Sequence, residues 1–327
     1  MKQYFEYYKG KRTLVTGADG FMGSHLVDKL IEMGADVTAY VRGSSVIGTN
    51  RFDLKNLKHQ INKIQIIAGD ISSPETQRLI IDDHPDIIFH LAAEAYVPKS
   101  FNQPMEVVRA NVDGTLNVLE AARSLNKIKS IERLVCTSSS EIYGTHEDPI
   151  KETDTMNPSS PYGASKVAAD RLAWSWWNTY NLPIAIIRPF NTYGPRHTYD
   201  VIPKFIDKAL EGKVLEVHGD GLQTRDLMYV DDTIDGFLTM GWHKDAIGKA
   251  VNFGTGTDVP IKEVAEKIKL YSESDCEIIY IGKRTSEVKR LCCDPSLARS
   301  LFNWKSTVSI DDGLRRNIEW AKAQKND

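Results

Sequence analysis

The pattern of apolar and polar positions alternates short apolar runs with longer amphipathic segments from residue 11 onward. The segments 20–33 and 104–125 have helical spacing. Because strands that alternate with helices and are apolar on both faces are typical of parallel sheets, we expect an α/β fold with a doubly wound parallel sheet. The apolar runs, rich in β-branched residues, predict strands at 13–16, 36–41, 64–68, 86–91, 133–137 and 184–188.

Beyond residue 189 the pattern is less regular and predicts a second, smaller α/β domain. A helix is expected near 201–211 and a short strand at 214–218. The length of 327 residues suits two domains at about 150 residues each. We interpret 1–189 as the first domain and 190–327 as mainly the second, with segments near 230–255 returning to the first, so that the two domains are interleaved.

Composition and charge narrow the class of protein. Hydrophobic residues make up 41% and charged residues 26%, which excludes a disordered or collagen-like chain. The 41 basic and 44 acidic residues are dispersed and give a net charge of −3, so neither nucleic acid nor a membrane surface is expected as a partner. The start has no apolar leader, and no window is apolar enough to span a membrane. Four cysteines without C-x-x-C spacing predict a reducing cytoplasm and no metal site: Cys136, Cys276, Cys292 and Cys293.

A glycine motif lies between the first predicted strand and the first predicted helix. Gly17, Gly20 and Gly23 have the spacing G-x-x-G-x-x-G, with Phe21 and Met22 between the last two. Glycine allows a tight turn and a close approach of the backbone to a pyrophosphate, whose charge then lies at the helix N-terminus. The motif predicts dinucleotide binding by these five residues; the alternative is a glycine-rich turn without a ligand.

The end of the second strand bears on which dinucleotide binds. Dinucleotide sites of this type usually place a carboxylate there for the ribose 2′-hydroxyl. Here Arg42 follows the strand, with Ser44 and Ser45 close behind, which favours the 2′-phosphate of NADP over NAD. The alternative for Arg42 is a solvent-facing side chain. Asp70 and Ile71, after the third strand, are predicted near the adenine, although Asp70 also suits a turn.

A tyrosine and a lysine are spaced for one helix face. Tyr162 and Lys166 are four residues apart in a helix that Pro161 opens. A phenol with a pKa of about 10 is a poor base at neutral pH, and a neighbouring ammonium group favours its ionised form. The pair therefore suits the oxidation of a hydroxyl group; the alternative is an ordinary surface pair.

Six motifs follow one another along nearly the whole chain: TGADGFMGSHL, the GDI turn, HLAAEAYV, PYGASK, RPFNTYGPR and RDLMYVDD. Together they resemble the extended short-chain dehydrogenase/reductase family that modifies nucleotide-activated sugars. The resemblance implies a Rossmann-type fold with a smaller substrate domain. It implies that Tyr162 removes a proton from a sugar hydroxyl and that Lys166 holds the cofactor ribose. It also implies cofactor contacts at Leu91, Ala92 and Ala93.

The same resemblance implies a set of substrate contacts. Glu94 and Tyr96 would border the nicotinamide and the hexose, and Asn191 would touch the diphosphate or sugar. Arg225 and Arg290 match arginines that clamp the nucleotide diphosphate, a use that suits the planar guanidinium group. The alternatives are packing for Tyr96 and structural salt bridges for the arginines, as between Arg225 and the aspartate that follows it.

The residues of the segment SSSEIYG help to distinguish a dehydratase from an epimerase. In an extended conformation Ser139 and Glu141 would project to the same side. The segment resembles the corresponding one in GDP-mannose and dTDP-glucose 4,6-dehydratases, which implies that Ser139 positions the hydroxyl that is oxidised. Once C4 is a ketone, Glu141 can remove the C5 proton while the C6 hydroxyl leaves as water, a step that a 4-epimerase lacks. Ser140 replaces the aspartic acid of the dTDP-glucose type, so Glu141 would handle both proton transfers.

The motifs therefore predict a cytoplasmic NAD(P)-dependent nucleotide-sugar 4,6-dehydratase that acts on a nucleotide-diphosphate hexose. The alternatives are a 4-epimerase, a C6 decarboxylase or a catalytically silent dinucleotide-binding module; for Glu141 the alternative is a surface salt bridge. The resemblance implies a homodimer that pairs through the helices at 104–125 and 161–180. The tryptophan cluster on the second helix covers more than one face and supports an interface there: Trp174, Trp176 and Trp177.

Overall fold

A computed structural model describes residues 4–42, 54–284 and 286–326. Its strands are β1 (Arg12–Thr16), β2 (Asp36–Val41), β3 (Ile64–Ala68), β4 (Ile87–His90), β5 (Arg133–Thr137), β6 (Ile184–Pro189), β7 (Asn191–Tyr193), β8 (Leu215–His218), β9 (Thr224–Tyr229), β10 (Ala250–Phe253), β11 (Asp258–Pro260), β12 (Ile278–Ile281) and β13 (Arg290–Leu291).

The helices alternate with these strands. They are α1 (Phe5–Tyr8), α2 (Phe21–Glu32), α3 (Glu75–Asp83), α4 (Val97–Asn102), α5 (Pro104–Val108), α6 (Gly114–Ile128), α7 (Pro161–Tyr180), α8 (Val201–Leu210), α9 (Val230–Trp242), α10 (Ile261–Ser272), α11 (Ser296–Phe302) and α12 (Ile310–Asn326). Within the described ranges, no helix has both the length and the apolar character that crossing a membrane requires.

The main sheet has seven strands in the order β10-β6-β5-β4-β1-β2-β3, and the pairs from β6 to β3 are parallel. The predicted α/β fold with a parallel sheet is confirmed, and the six predicted strands agree with β1 to β6 within one residue at each end. One hydrophobic cluster includes buried side chains of β1, β4, β5, β6 and α6, among them Leu14, Ile88, Leu134, Ile186 and Val118. Burial on both faces explains why these strands are continuously apolar.

The predicted helix 104–125 is helical throughout but contains a π-helical turn. α5 ends at Val108, a π-helical turn occupies Arg109–Asp113, and α6 then begins at Gly114. The wider turn carries Asn111, whose side-chain oxygen accepts a hydrogen bond from the backbone N–H of Glu94 at 2.7 Å. Single π-helical turns inside α-helices are frequently found at functional sites.

The chain divides into two compact units. The first comprises Met1–Ser139, Pro161–Arg188 and Ile234–Val251, and the second comprises Ser140–Ser160, Pro189–Thr233 and Asn252–Asp327. The segment 140–160, which the sequence analysis placed in the first domain, therefore groups with the second unit. The reason is long-range pairing, because Ile150 forms a β-bridge with Cys293 and the carboxylate of Glu152 accepts a hydrogen bond from the backbone of Asn252.

The second unit contains two small sheets. β9 pairs with β7 and β13 in parallel and with β11 in antiparallel orientation, while β8 and β12 form a separate parallel pair. The predicted strand 214–218 is β8 and the predicted helix 201–211 is α8. The strand β13 and the short β11 lack the long apolar runs by which β1 to β6 were recognised.

A close contact within the first unit predicts the stability of one variant. Gly241 lies in α9, and a Cβ atom there would overlap the Tyr8 hydroxyl and approach the Phe89 ring at 2.7 Å. Both rings are fully buried, so they have no room to move. We expect Gly241→Ala to lower the free energy of unfolding by about 1–3 kcal/mol, measured by denaturant titration. Gly282→Ala, which places its Cβ in open space, is the control, and equal stability of the two variants would contradict this packing.

Candidate active site

The glycine turn after β1 forms a backbone cradle. Gly17 has φ +68°, and a Cβ there would lie 2.9 Å from the backbone of Ala92. A Cβ at Gly20 would lie 3.0 Å from the Gly17 carbonyl oxygen, and one at Gly23 would overlap that oxygen. α2 begins at Phe21, so its first N–H groups point towards the turn. The turn accepts only glycine at these positions and presents a helix N-terminus, which fits a pyrophosphate.

Other predicted cofactor residues surround this turn in the first unit. Met22 is half-buried in the first turn of α2, and Leu91, Ala92 and Ala93 are half-buried directly after β4. The backbone N–H of Leu91 donates to the Thr16 carbonyl at 3.2 Å, which fixes the end of β4 against the end of β1. The structure therefore brings these residues together at the carboxyl edge of the sheet, where ligands of such sheets bind.

Arg42 and Asp70 lie near each other in the first unit. Arg42 is exposed directly after β2, whereas Ser44 and Ser45 lie outside the described residues. Asp70 closes a turn by accepting hydrogen bonds from the N–H and the hydroxyl of Ser72, at 2.9 and 2.8 Å. These bonds, together with the Arg42 guanidinium, lower the pKa of Asp70. The structure thus gives Asp70 the alternative role of a turn residue, and Ile71 is buried in the core cluster.

Tyr162 and Lys166 are both buried in α7. The Lys166 ammonium donates a hydrogen bond to the Thr137 carbonyl at the end of β5, 2.5 Å away. Burial lowers the pKa of Lys166 to about 8, so its side chain is still largely charged at neutral pH. The alternative of an ordinary surface pair is excluded, because neither side chain is exposed.

A buried histidine that the sequence analysis did not single out joins the strand ends. His90 Nδ1 lies 2.8 Å from Thr16 Oγ1, and its Nε2 lies 3.1 Å from Thr115 Oγ1. The Thr137 hydroxyl donates to the His90 carbonyl at 2.7 Å. Burial lowers the pKa of His90 to about 3, which keeps the ring neutral. The sequence does contain a signal for this residue, because His90 is a polar residue at the end of an apolar strand and begins the HLAAEAYV motif.

Asn111, also missed, connects the loop after β4 to α7. Its amide nitrogen donates to the Glu94 carbonyl at 3.2 Å and to the Ser165 hydroxyl at 2.9 Å. The carboxylate of Glu94 forms an ion pair with Lys99 at 2.7 Å. Tyr96 is half-buried immediately before α4. Glu94 is therefore held by both its backbone and its side chain in the first unit.

The residues after β5 do not continue the strand. β5 ends at Thr137, and Ser140–Ile142 forms a 3₁₀ turn in which the Tyr143 N–H donates to the Ser140 carbonyl at 3.1 Å. The predicted projection of Ser139 and Glu141 to one side of an extended segment is therefore wrong. Ser139 is the last residue of this part of the first unit, and Ser140, also buried, begins the second.

Within the second unit, Glu141 and Arg225 interact electrostatically. Burial raises the pKa of the half-buried Glu141, the Arg225 guanidinium opposes this shift, and Asp200 adds to it. Arg225 Nη1 donates to the Thr224 carbonyl at 2.8 Å. The neighbouring Asp226 does not supply the salt bridge considered for Arg225, because its carboxylate accepts hydrogen bonds from the 255–256 loop and from Cys293. A carboxyl group with a raised pKa is suited to general-base catalysis.

The two remaining predicted substrate residues, Asn191 and Arg290, differ in their hydrogen-bond partners. Asn191 begins β7, and among the described residues its buried side-chain oxygen has no hydrogen-bond partner. Arg290 forms a two-pronged ion pair with Asp258, with distances of 2.9 and 3.2 Å. The structure therefore shows the salt-bridge alternative for Arg290 and leaves a polar atom of Asn191 that a ligand can satisfy.

Comparison with known families identifies the chain. The model of the family described as GDP-mannose 4,6 dehydratase matches residues 14–317. This chain belongs to that family. The membership confirms the family predicted from the motifs.

The relatives of this dehydratase-family chain are named for different reactions. It is 33% identical to the dTDP-D-glucose 4,6-dehydratase of Homo sapiens, over 95% of this chain and 89% of that protein. It is 32% identical to the UDP-glucose 4-epimerase of Mycolicibacterium smegmatis, over 94% and 98%. The chain spans about half the length of a trifunctional UDP-glucose 4,6-dehydratase/UDP-4-keto-6-deoxy-D-glucose 3,5-epimerase/UDP-4-keto-L-rhamnose-reductase of Arabidopsis thaliana, to which it is 32% identical.

Among solved structures, the dTDP-glucose 4,6-dehydratase DesIV from Streptomyces venezuelae, crystallised with NAD, superposes with a TM-score of 0.87. Its sequence is 27% identical to this one, and the match covers 96% of this chain and 98% of that chain. The similarity extends over both units of the dehydratase-family fold. It supports a nicotinamide dinucleotide as the cofactor of the glycine turn.

The tryptophan cluster of α7 is only partly exposed in this dehydratase-family chain. The Trp176 indole donates to Glu120 at 2.8 Å, and Trp177 packs against Gly248. Trp174 is 40% exposed. Two of the three rings therefore serve packing within the first unit, and one remains on its surface.

Proposed function

We propose that this chain is a nucleotide-sugar 4,6-dehydratase that converts an NDP-hexose into an NDP-4-keto-6-deoxyhexose. What carries the proposal is Glu141, a half-buried carboxyl group with a raised pKa two residues after Ser139. A 4-epimerase has no proton to remove from C5, so a tuned carboxyl group at this place favours elimination. The family match and the dehydratase relatives support the same reaction.

We assign the cofactor to the first unit and the nucleotide sugar mainly to the second. The tight turn of Gly17, Gly20 and Gly23, where added Cβ atoms would meet the backbone of Ala92 or Gly17, presents the N-terminus of α2 to the pyrophosphate. A nicotinamide dinucleotide held there would supply the hydride chemistry, as the acceptor for hydride from C4 and the donor of hydride to C6. Tyr162 takes the proton of the C4 hydroxyl, and the charged Lys166 favours the ionised phenol and holds the ribose.

Elimination then falls to the residues after β5. Ser139 orients the hydroxyl at C4 by a hydrogen bond, and Glu141 removes the C5 proton made acidic by the C4 ketone. Ser140 cannot act as an acid in place of an aspartic acid. Glu141 therefore returns its proton to the departing C6 hydroxyl, which leaves as water, and C5 takes up a proton from solvent when hydride arrives at C6. Arg225 and Asn191 are assigned to the diphosphate and the sugar.

We also propose NADP as the favoured cofactor, because Arg42 is exposed where a carboxylate would otherwise bind the 2′-hydroxyl. We expect Arg42→Ala to weaken NADP⁺ binding by about tenfold through loss of a charge-assisted contact and to leave NAD⁺ binding nearly unchanged. Isothermal titration calorimetry with both nucleotides measures this. Arg78→Ala, which removes an exposed arginine of α3, is the control. Equal weakening of both nucleotides would contradict a 2′-phosphate contact.

We also propose that the protein is a homodimer and that it works in the cytoplasm. Apolar side chains are exposed on α5, α6 and α7, namely Met105, Val108, Leu116 and Trp174, and such side chains favour an interface. Light scattering that shows a monomer at micromolar concentration would contradict the dimer. The four cysteines are buried free thiols, as suits a reducing compartment.

The reaction is tested with a panel of dTDP-glucose, UDP-glucose, GDP-mannose and UDP-glucuronic acid. The proposal predicts a product that is lighter than its substrate by one water for at least one hexose, detected by mass spectrometry. The epimerase alternative, which the mycobacterial relative favours, predicts a product of unchanged mass. Release of carbon dioxide from UDP-glucuronic acid would instead identify a decarboxylase.

A further inference from the structure

One ion pair in the first unit is buried and has no part in the chemistry described above. Arg188 Nε lies 2.8 Å from Asp170 Oδ2, and Arg188 Nη2 lies 3.1 Å from Asp170 Oδ1. The carboxylate is 0% exposed and the guanidinium 2%. Removing two charges from water is costly, and a hydrophobic pair of equal volume is often as stable. Stability alone therefore does not explain the pair.

The position of the pair relates it to Lys166. Asp170 follows Lys166 by four residues in α7, so the two side chains share one face of the helix. Arg188 lies on β6, beside β5, whose last residue Thr137 accepts the hydrogen bond from the Lys166 ammonium. The ion pair thus fixes one turn of α7 to β6 while the previous turn directs Lys166 to the end of β5.

We propose that Asp170 and Arg188 are positioning residues for Lys166: the pair sets the rotation of α7 on the sheet and supplies a balanced charge beside the ammonium group. The inference rests on the proposed role of Lys166 in catalysis. Neither residue touches the substrate in this account. Both act through Lys166, Asp170 by attraction and Arg188 by limiting that attraction.

The titratable groups that face Lys166 lie on three elements. On β5, burial raises the pKa of the Cys136 thiol to about 12. On β4, the ring of His90 is neutral because its pKa is lowered to about 3. On α7, Tyr162 lies one turn before Lys166 and Asp170 one turn after it. Cys136 and Asp170 both raise the pKa of Lys166 against the effect of burial. Asp170 is the one of the two that is charged in the resting protein, because its pKa is lowered.

Opposite substitutions should therefore have opposite effects on Lys166. In Asp170→Asn the attraction is lost, and we expect the pKa of Lys166 to fall by about one pH unit. In Arg188→Gln the carboxylate is no longer balanced, and we expect the pKa of Lys166 to rise by about one pH unit. Arg188→Lys keeps the charge and should restore the wild-type value. A merely structural role would lower stability in both variants without moving the pKa in opposite directions.

The experiment is an NMR titration of Lys166 in the full chain with isotope-labelled lysine and added NADP⁺, with the resonance assigned by its loss in Lys166→Arg. Arg171→Gln is the matched control, because Arg171 also contacts Asp170 but is 45% exposed and screened by water. Opposite shifts, with little change in the control, are the expected result. Shifts in the same direction, or no shift in either folded variant, would overturn the inference.

Two further readouts keep the test decisive. If Asp170→Asn does not fold, as judged by circular dichroism, Arg188→Gln against Arg188→Lys gives the result alone. The alkaline limb of the pH–rate profile, measured on the panel substrate with the fastest turnover, should move with the Lys166 titration. If the titrations shift in opposite directions while this limb stays in place, the positioning inference holds and the proposed catalytic role of Lys166 fails.

Discussion

Replacing Glu141 by glutamine is expected to lower the rate of dehydration by about 10²–10⁴-fold, the usual contribution of a general base. Glutamine has nearly the same shape and keeps hydrogen-bonding capacity, but it cannot accept the C5 proton. Oxidation at C4 does not use this carboxyl group, so binding of the cofactor and the nucleotide sugar should change little. The loss should therefore appear in kcat and not in KM.

The measurement that isolates this step is the incorporation of solvent deuterium at C5. The wild-type protein in deuterated water should give product with deuterium at C5, whereas Glu141→Gln should give almost none. Glu147→Gln, an exposed carboxyl group in the same unit, is the control and should behave like the wild type. Unchanged product formation in Glu141→Gln would remove this residue from the mechanism.

The raised pKa of Glu141 also predicts where the acid limb of the pH–rate profile lies. The base form is needed, so activity is lost as the pH falls through the pKa of Glu141, and burial places this loss at a higher pH than for an exposed glutamate. Arg225→Gln removes the guanidinium that opposes the shift. The acid limb of that variant should therefore move to still higher pH, in addition to any loss of substrate affinity.

Replacing Tyr162 by phenylalanine is expected to lower turnover by a similar factor of about 10²–10⁴, for a different reason. The ring is retained and remains packed in its buried site, but no group is left to take the proton of the C4 hydroxyl. Both oxidation and the later steps should stop, so no deuterium should enter at C5. Calorimetry should show cofactor binding within a few-fold of the wild type.

Tyr180→Phe is the matched control for this variant, since Tyr180 lies at the end of the same helix and is 39% exposed. It should leave turnover unchanged. A Tyr162→Phe variant that is folded and as active as the control would contradict the assignment of the phenol and would favour a silent dinucleotide-binding module.

Much of the first unit could be predicted from the sequence because its signals are local. Strands β1, β2, β4, β5 and β6 are almost wholly buried, and the glycines of the first turn have a spacing that few other structures require. The spacing of Tyr162 and Lys166 predicted one helix face correctly. Their depth below the surface was not predictable, because burial depends on how α7 packs against β5.

Other features depend on distant pairing and left no local signal. The segment 140–160 joins the second unit through Ile150 and Glu152, whose partners Cys293 and Asn252 lie 143 and 100 residues further along the chain. Continuing the strand alternation past Thr137 predicts an extended segment, whereas the chain forms a 3₁₀ turn at Ser140–Ile142. The ion pair of Arg290 with Asp258 joins two short strands that the pattern did not reveal.

The fate of the C4 hydrogen tests the central claim most directly. Each hexose nucleotide of the panel is supplied with deuterium at C4, and the position of the label in the product is read by NMR. A 4,6-dehydratase moves the label within one molecule from C4 to C6, since hydride leaves C4 and returns to C6. We expect deuterium at C6 of a 4-keto-6-deoxy product. A label that remains at C4 of an epimer with unchanged mass would contradict the account.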